Sequence, residues 1–422
     1  MQTIENVTAW EVLDGRGDPT VQVTVTTSDG ARGTALVPSG RSTGRHEAQE
    51  VRDGDASWHR GRGVRNHLEA VAPQLRQALC GQPLDLRTVD QRLIALDGTP
   101  NKSRLGANVT AGVSLAVAKT AAAAAGEPLY RFLNPYARRL PVPQMNLING
   151  GRHAFNETPV QEFIILPVGA NRFREALEWT MRTYHVLSRL VEERYGRHAL
   201  NTGDEGGLTP DVRRVDEGLD LLREAVLKAG IDKGTRYGLD MAATHLYRPD
   251  DNRYMLDQAY ARDELFSLYQ ELIATHRVIS IEDPVQEDDL EGLALLTGKL
   301  QCQFVGDDLF VTNPERVNAA VRMGAGNALL WKFNQIGTIS EAWDAAQLAK
   351  SHGYEIVVSE RSGDTEDPAI ADLAVALEAS QIKTGSPVRG ERTAKYNRLL
   401  NIEYELGENA CYAGERLQEL YG

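Results

Sequence analysis

The sequence predicts an α/β chain in which a smaller domain, strands first and helices after, precedes a C-terminal (β/α)8 barrel. Five short apolar, β-rich runs, VISIE, QFVGDD, ALLWK, EIVVSE and QIKTG, end near Glu282, Asp307, Lys332, Glu360 and Lys383. Their endpoints step by 25, 25, 28 and 23 residues, close to the roughly 30 residues that each strand-and-helix unit of an eight-unit barrel averages. Between them, PERVNAAVRMG, TISEAWDAAQLAKSHG and PAIADLAVALEAS place apolar residues three and four apart, the helical period. Nearer the start, Val21, Val23 and Val25 alternate with polar residues, and Ser28, Asp29 and Gly30 make a turn before ARGTALV, so an antiparallel hairpin opens the first domain. Helical spacing follows from about Val64 to Leu79 and from Asn108 to Ala125, and the PVP at 141–143 punctuates the passage into the barrel. The boundary is placed near residue 138, giving domains 1–138 and 139–422.

At 422 residues the chain has ample material for two domains. Its 46 Lys+Arg against 59 Asp+Glu leave a formal charge of -13, which argues against a nucleic-acid or anionic-membrane partner and leaves small, locally captured anions as ligands. Cys80, Cys302 and Cys411 are odd in number and far apart, so neither a disulfide framework nor a zinc knuckle is supported, and a reducing cytoplasm fits. The opening MQTIENVTAW lacks the basic and apolar regions of a secretory signal, and no aliphatic run is long enough to span a bilayer.

A parallel barrel brings the C-terminal ends of its strands to one mouth, so polar groups placed there converge in space. A single strand-end charge ordinarily solvates a loop or pairs with a neighbour; five in register point to a pocket. Asp240 in YGLD, Glu282 in ISIEDP and Asp307 in FVGDD offer oxygen donors without a nearby His or Cys, which suits a hard cation such as magnesium rather than zinc. Lys332 and Lys383 beside such a cation would have their pKa depressed, making a neutral, base-competent amine accessible. The competing reading of each lysine is an ion pair with one of the acids. The loop GDEGGLTP, 203–210, sets Asp204 and Glu205 among glycines; taken alone it reads as well as a tight surface turn.

Ten ordered motifs give the chain a wider resemblance: LDGRGDPTV (13–21), PSGRSTGRHEA (38–48), NKSRLGAN (101–108), INGGRHAFN (148–156), GDEGG (203–207), SIEDP (280–284), GDDLFVTNP (306–314), KFNQIGT (332–338), RSGDTED (361–367) and IKTGSP (382–387). In these the chain resembles the enolases. The resemblance implies an N-terminal α+β domain packed on a variant barrel that begins ββαα, with the active site at the barrel mouth under loops of the first domain. Asp240, Glu282 and Asp307 resemble the ligands of a first magnesium, and Ser42 the residue that captures a second, so two Mg2+ per site are expected. Lys332 matches the base that removes the C2 proton, and Glu205 the acid that assists departure of the C3 hydroxyl. Glu162 looks like the carboxylate partner of Glu205, and His153 like a substrate-contacting group on a closing loop. Lys383 corresponds to a substrate-carboxylate binder and Arg361 with Ser362 to the phosphate site; Gln161, beside Glu162, is grouped with the substrate-binding positions. Family resemblance also makes a homodimer or higher homo-oligomer the default.

The implied chemistry explains the set. A proton alpha to a carboxylate is very weakly acidic, so its removal demands electrostatic stabilisation of the charge that develops, and hydroxide must be protonated as it leaves. A lysine base with one or two magnesium ions is the known solution of this superfamily.

Three positions depart from the family pattern. Glu360 stands where the family carries His, immediately before Arg361; a carboxylate there would repel an anionic substrate unless protonated or paired. Arg41 replaces a small residue and brings a guanidinium whose planar fork suits a carboxylate or phosphoryl oxygen. His245 stands where enolases usually have an acid, beyond a metal-binding strand end, where it fits a supporting role better than a catalytic one. Arg41 and Glu360 are therefore counted among the substrate-binding candidates. The main expectation drawn from them is a lyase acting on a 2-phosphoglycerate analogue with an extra acidic group on phosphorus, as in carboxyphosphonoenolpyruvate synthase of phosphinate antibiotic pathways. The alternative is an ordinary phosphopyruvate hydratase in which Arg41 neutralises Glu360; a remoter one is a non-catalytic structural relative.

Overall fold

The computed structural model describes residues 2–422. Strands β1 (Ile4–Leu13), β2 (Pro19–Thr27) and β3 (Arg32–Leu36) form an antiparallel sheet in that order. The alternation seen in the sequence puts Val21, Val23 and Val25 on the buried face. Three helices follow, α1 (Arg65–Leu79), α2 (Leu86–Asp97) and α3 (Ala107–Ala125). α3 is buried nearly all round, as its uniformly small and apolar residues require, and packs on β2 and β3 on one side and on the barrel's helices on the other. Gly33 permits that approach, because a Cβ there would collide with the backbone of Thr120 on α3.

The barrel closes from eight strands: β4 (Val142–Asn149), β5 (Glu162–Leu166), β6 (Arg236–Asp240), β7 (Val278–Glu282), β8 (Gln303–Gly306), β9 (Ala328–Trp331), β10 (Glu355–Ser359) and β11 (Gln381–Lys383), with β11 returning to β4. β5 runs antiparallel to both of its neighbours, and the other pairings are parallel. Two long helices, α4 (Phe173–Tyr195) and α5 (Val215–Ala229), separate β5 from β6, so the barrel begins ββαα. The five apolar runs of the sequence are β7 to β11; the charged residue closing each lies on the last strand position or one beyond it.

Both faces of the barrel strands are buried, which explains why they read as continuous apolar runs. On β9, Ala328 and Leu330 meet Val305 and Val357 of the flanking strands in one small cluster, whereas Leu329 and Trp331 join the large core under the helices. Trp331 also donates its indole N–H to the Ala342 carbonyl at 2.6 Å. The first domain is tied over the barrel mouth by polar contacts: Lys102 Nζ lies 2.9 Å from Glu341, Lys119 Nζ 2.6 Å from Asp367, and the Asn334 amide donates to the Pro38 carbonyl at 3.1 Å. None of the described helices is long and apolar enough to cross a membrane.

Leu330 is fully buried among small neighbours that cannot fill a void. Leu330→Ala is expected to cost about 2–5 kcal/mol, read as a lowered thermal or denaturant midpoint.

Candidate active site

Strand register builds the site. Glu162, Asp240 and Glu282 are direct partners across β5, β6 and β7, so three carboxylates stand side by side at one level of the mouth. Across the barrel, Lys383 ends β11 beside Ser359 of β10, and the ladder continues one step as the Glu360 N–H donates to the Lys383 carbonyl at 2.9 Å. All three acids and Lys383 are buried. Lys383 Nζ donates to Asp240 at 2.9 Å and to Glu282 at 2.7 Å, and lies 3.2 Å from Glu162. Asp307, one residue past β8, accepts from Lys332 Nζ and from the Gln335 amide, each at 2.7 Å. Its backbone is held from behind by Asp283, whose carboxylate accepts the N–H groups of Asp307 and Asp308 at 2.8 Å.

Both readings of the lysines therefore meet here. Each is ion-paired with the acids, and each lines the same small cavity of about 20 Å³ with Ser42, His153, Gln161, Glu162, Glu205, Asp240, Asp307, Glu360, Arg361 and Ser362. Burial alone would lower the Lys332 amine, but Asp307 outweighs it and raises the pKa above the ordinary lysine value. The depression expected from a neighbouring divalent cation is thus not something the carboxylates produce by themselves.

The donor set fits a hard cation. Burial first, and the charge of Asp240 second, push Glu282 well above the usual carboxylate range, while Lys383 draws it back. Asp240, Glu282 and Asp307 do not form a set with oxygens within 4.8 Å of one another; among the described residues the sets that do are Asp283, Asp307 and Asp308, and His153, Glu162 and Glu205. Lys383 bridges Asp240 and Glu282, and Lys332 pairs separately with Asp307.

Glu205 is buried, not solvated as on a surface turn. Its Oε1 lies 3.3 Å from His153 Nδ1, which is 3.6 Å from Glu162, and its Oε2 accepts from the Asn146 amide at 3.0 Å. Burial opposes charge on His153, yet Glu205 and Glu162 together raise it to about 10. Glu162 is pushed up to about 8, by burial first and by the Glu205 charge second. Burial works on Glu205 in the same direction, but His153 overrides it and holds Glu205 well below the ordinary value. The directions favour a proton on His153 and disfavour one on Glu205, because the two groups stabilise each other's charge.

The loop over the mouth is docked. Arg361 presents both guanidinium nitrogens to Glu47, at 2.9 and 3.0 Å, and donates to the Ser42 carbonyl at 3.2 Å. Gly40 is required beside it, because a Cβ there would strike the Arg361 guanidinium. Ser362 Oγ accepts from the Arg41 N–H at 2.8 Å and faces Arg16 at 3.3 Å. Gln161 donates its amide to Asp240 at 3.1 Å. His245 is partly buried beyond the end of β6, with Nε2 unpartnered and its pKa lowered by burial, and it does not line the cavity.

One expectation is corrected here. Arg41 does not neutralise Glu360: its guanidinium lies 2.9 Å from Asp204. Glu360 is paired with Arg392 of helix α6 (Gly390–Leu406), both side chains essentially without exposure. Arg392 also donates to the carbonyls of Arg361, Ser362 and Asp204 at 2.8, 2.7 and 2.9 Å, so one guanidinium fastens Glu360, the RSGD turn and the GDEGG loop together. Arg392 and Glu47 were not singled out from the sequence. Glu47 lies inside the PSGRSTGRHEA motif, whereas nothing local marks Arg392, whose partners are far away along the chain.

A closed barrel with buried acids, two lysines and an acid–histidine cluster at its C-terminal mouth marks a barrel enzyme equipped for acid–base chemistry. Sequence comparison specifies which. Residues 4–133 match the family model described as enolase, N-terminal domain, and residues 137–420 that of the enolase C-terminal TIM barrel domain. Curated relatives include the enolases of Methanopyrus kandleri (53% identical, 96% of each chain covered), Methanocaldococcus jannaschii (51%, 98% of each) and Thermococcus kodakarensis (50%, 98% of each). The chain belongs to the enolase family and is an enolase-like hydro-lyase.

Two outcomes are expected of this network. Arg392→Met, which strands the Glu360 carboxylate, is expected to cost about 3–5 kcal/mol in thermal or chemical unfolding, with part recovered by adding Glu360→Gln. His153 has a folded pKa above the ordinary 6.5, so its contribution to stability is complete below about pH 6.5 and is lost as pH rises through about 10. The melting-temperature gap between the parent and His153→Asn should therefore narrow from pH 6.5 to pH 10 in chelator-treated protein.

Proposed function

We propose that the protein is a phosphopyruvate hydratase, removing the C2 proton of 2-phosphoglycerate and expelling the C3 hydroxyl to give phosphoenolpyruvate. The observation that carries this reading is the convergence of Lys332, Lys383, Glu205 and Arg361 on one buried cavity beside the three strand-end acids. In this reading Asp240, Glu282 and Asp307 hold one magnesium and Ser42 helps hold a second. When bound, the ions supply stabilisation of the negative charge that builds on the substrate carboxylate as the proton leaves.

The chain's own residues do the rest. Lys332 takes the C2 proton at Nζ, and does so only as a neutral amine, hence after giving up its ion pair with Asp307. Lys383 binds the substrate carboxylate, a task that requires it to leave Asp240 and Glu282. Arg361 and Ser362 receive the phosphoryl group, the guanidinium exchanging the two-pronged contact it now makes with Glu47 for one with phosphate oxygens. Glu205 delivers a proton to the departing hydroxyl, drawing on the one that His153 holds. Gln161 positions Asp240 through its amide.

An ordinary phosphorylated substrate is favoured over a phosphorus-substituted analogue. The relatives cited are all named enolase. The two residues that suggested the analogue are each matched within the protein, Glu360 by Arg392 and Arg41 by Asp204.

Incubation with 2-phosphoglycerate and magnesium should yield phosphoenolpyruvate, and chelation of the metal should abolish turnover. Lys332→Ala should lower kcat by about 10²–10⁴ and abolish C2 proton exchange in deuterated water. Glu205→Gln should retain exchange while losing dehydration. Failure of the parent protein to dehydrate 2-phosphoglycerate would sink the assignment.

A further inference from the structure

Arg41 and Asp204 immediately precede Ser42 and Glu205 in the chain. Arg41 Nε lies 2.9 Å from Asp204 Oδ2, and its Cζ stands 5.8 Å from the ring centroid of Phe155, a side chain otherwise 96% exposed. The two partners differ in freedom. The Asp204 carboxylate is 13% exposed, its N–H donates to the His153 carbonyl at 2.9 Å, and its own carbonyl accepts from Arg392 at 2.9 Å. The Arg41 side chain is 37% exposed and sits on a loop fastened elsewhere by Arg361–Glu47, by the Ser362 hydroxyl on the Arg41 N–H, and further along by Arg45 and His46 on Asp288; Arg41–Asp204 is the contact that ties it to the Glu205 loop. Asp204 is thus a fixed post and Arg41 a movable arm. Burial pushes the Asp204 carboxyl up and Arg41 draws it back, so the arm also steadies the post's charge.

We propose that the Arg41–Asp204 ion pair, flanked by Phe155, is a positioning latch that sets the Ser42 loop in register with the Glu205 loop. The inference rests on the functional reading above, in which Ser42 serves a second cation and Glu205 the leaving hydroxyl. Neither latch residue touches substrate. Their effect is on the alignment of the residues that follow them, and each lies one peptide from its client. A guanidinium over an aromatic face adds attraction without needing a second carboxylate, so the arm is held from two sides by two different loops.

The test is a neutral double-mutant cycle in the full chain: Arg41→Gln, Asp204→Asn and the pair together. Two readouts are taken. One is hydrogen–deuterium exchange of the 38–48 amides in metal-free, substrate-free protein. The other is KM for 2-phosphoglycerate, half-saturating magnesium and kcat. Each single variant is expected to speed loop exchange and to raise KM and the magnesium requirement about two- to fivefold, the range of a partly exposed ion pair, with kcat changed less. The double variant is expected to be no worse than the worse single one. At an ionic strength of about 1 M, where the screening length falls to about 3 Å, the difference between parent and variants should shrink. Unchanged loop exchange in both single variants, or effects that multiply in the double, would overturn the latch. If the exchange cycle behaves as described while the parent protein does not dehydrate 2-phosphoglycerate, the latch stands and the functional reading falls.

Discussion

Crowding carboxylates into a buried barrel mouth is the constraint on which the rest of the structure depends. Register alone puts Glu162, Asp240 and Glu282 on adjacent strands at one level, and Asp307 follows on the next. Like charges so placed and stripped of water repel strongly, and the arrangement persists only where cations are supplied at short range. Lys383 supplies one from across the barrel and Lys332 another from the end of β9, next to the strand that Asp307 follows. In the proposed reaction the same two lysines serve the substrate, Lys383 as an ammonium that binds it and Lys332 as a neutral amine that deprotonates it. In that reading structural compensation and catalytic provision draw on one set of ion pairs in two states.

That duality accounts for the docked loop. With Lys383 among the acids and Glu47 across Arg361, every substrate-directed cation already has an internal carboxylate, and the cavity left is about 20 Å³, room for about one water molecule. In the proposed reaction, substrate entry is an exchange of partners, a phosphoryl group for Glu47 and a carboxylate for the acids on Lys383. The displaced carboxylates, Glu47 on one side and Asp240 with Glu282 on the other, then need other cations to compensate them.

How far this was legible in the sequence follows from the range of each signal. The β7 to β11 units were visible because each strand is buried on both faces and ends in a charge, so composition and spacing carry the information locally. The ββαα start was not readable from spacing: β5 is antiparallel and is followed by two helices and a long loop, which breaks the repeat, and only the resemblance supplied it. The acids and lysines of the site were readable as types at strand ends. Their actual pairings were not, since Lys383–Glu282 and Arg361–Glu47 join residues 101 and 314 positions apart. Arg392 escaped for the same reason. It lies in the first turn of an ordinary helical sequence, and only the fold turns it toward Glu360.

The pair formed by Glu360 and Arg392 shows how a local departure from a family pattern can be absorbed. A carboxylate placed beside a phosphate-binding arginine reads, in one dimension, as repulsion toward the substrate. In three dimensions its Oε2 is claimed by a fully buried guanidinium that also takes three backbone carbonyls, and burial raises its pKa well above the ordinary value, further weakening any negative field it projects. The added charge thus joins the loop of Glu205 to the turn of Arg361 through Oε2, while Oε1 is left unpartnered and Glu360 still lines the cavity. Arg41 follows the same logic at the rim, with Asp204 as its partner. Substitutions near a catalytic centre are informative about substrate only after their internal partners are known, because a buried charge seeks its nearest complement in the fold before it acts on anything that enters.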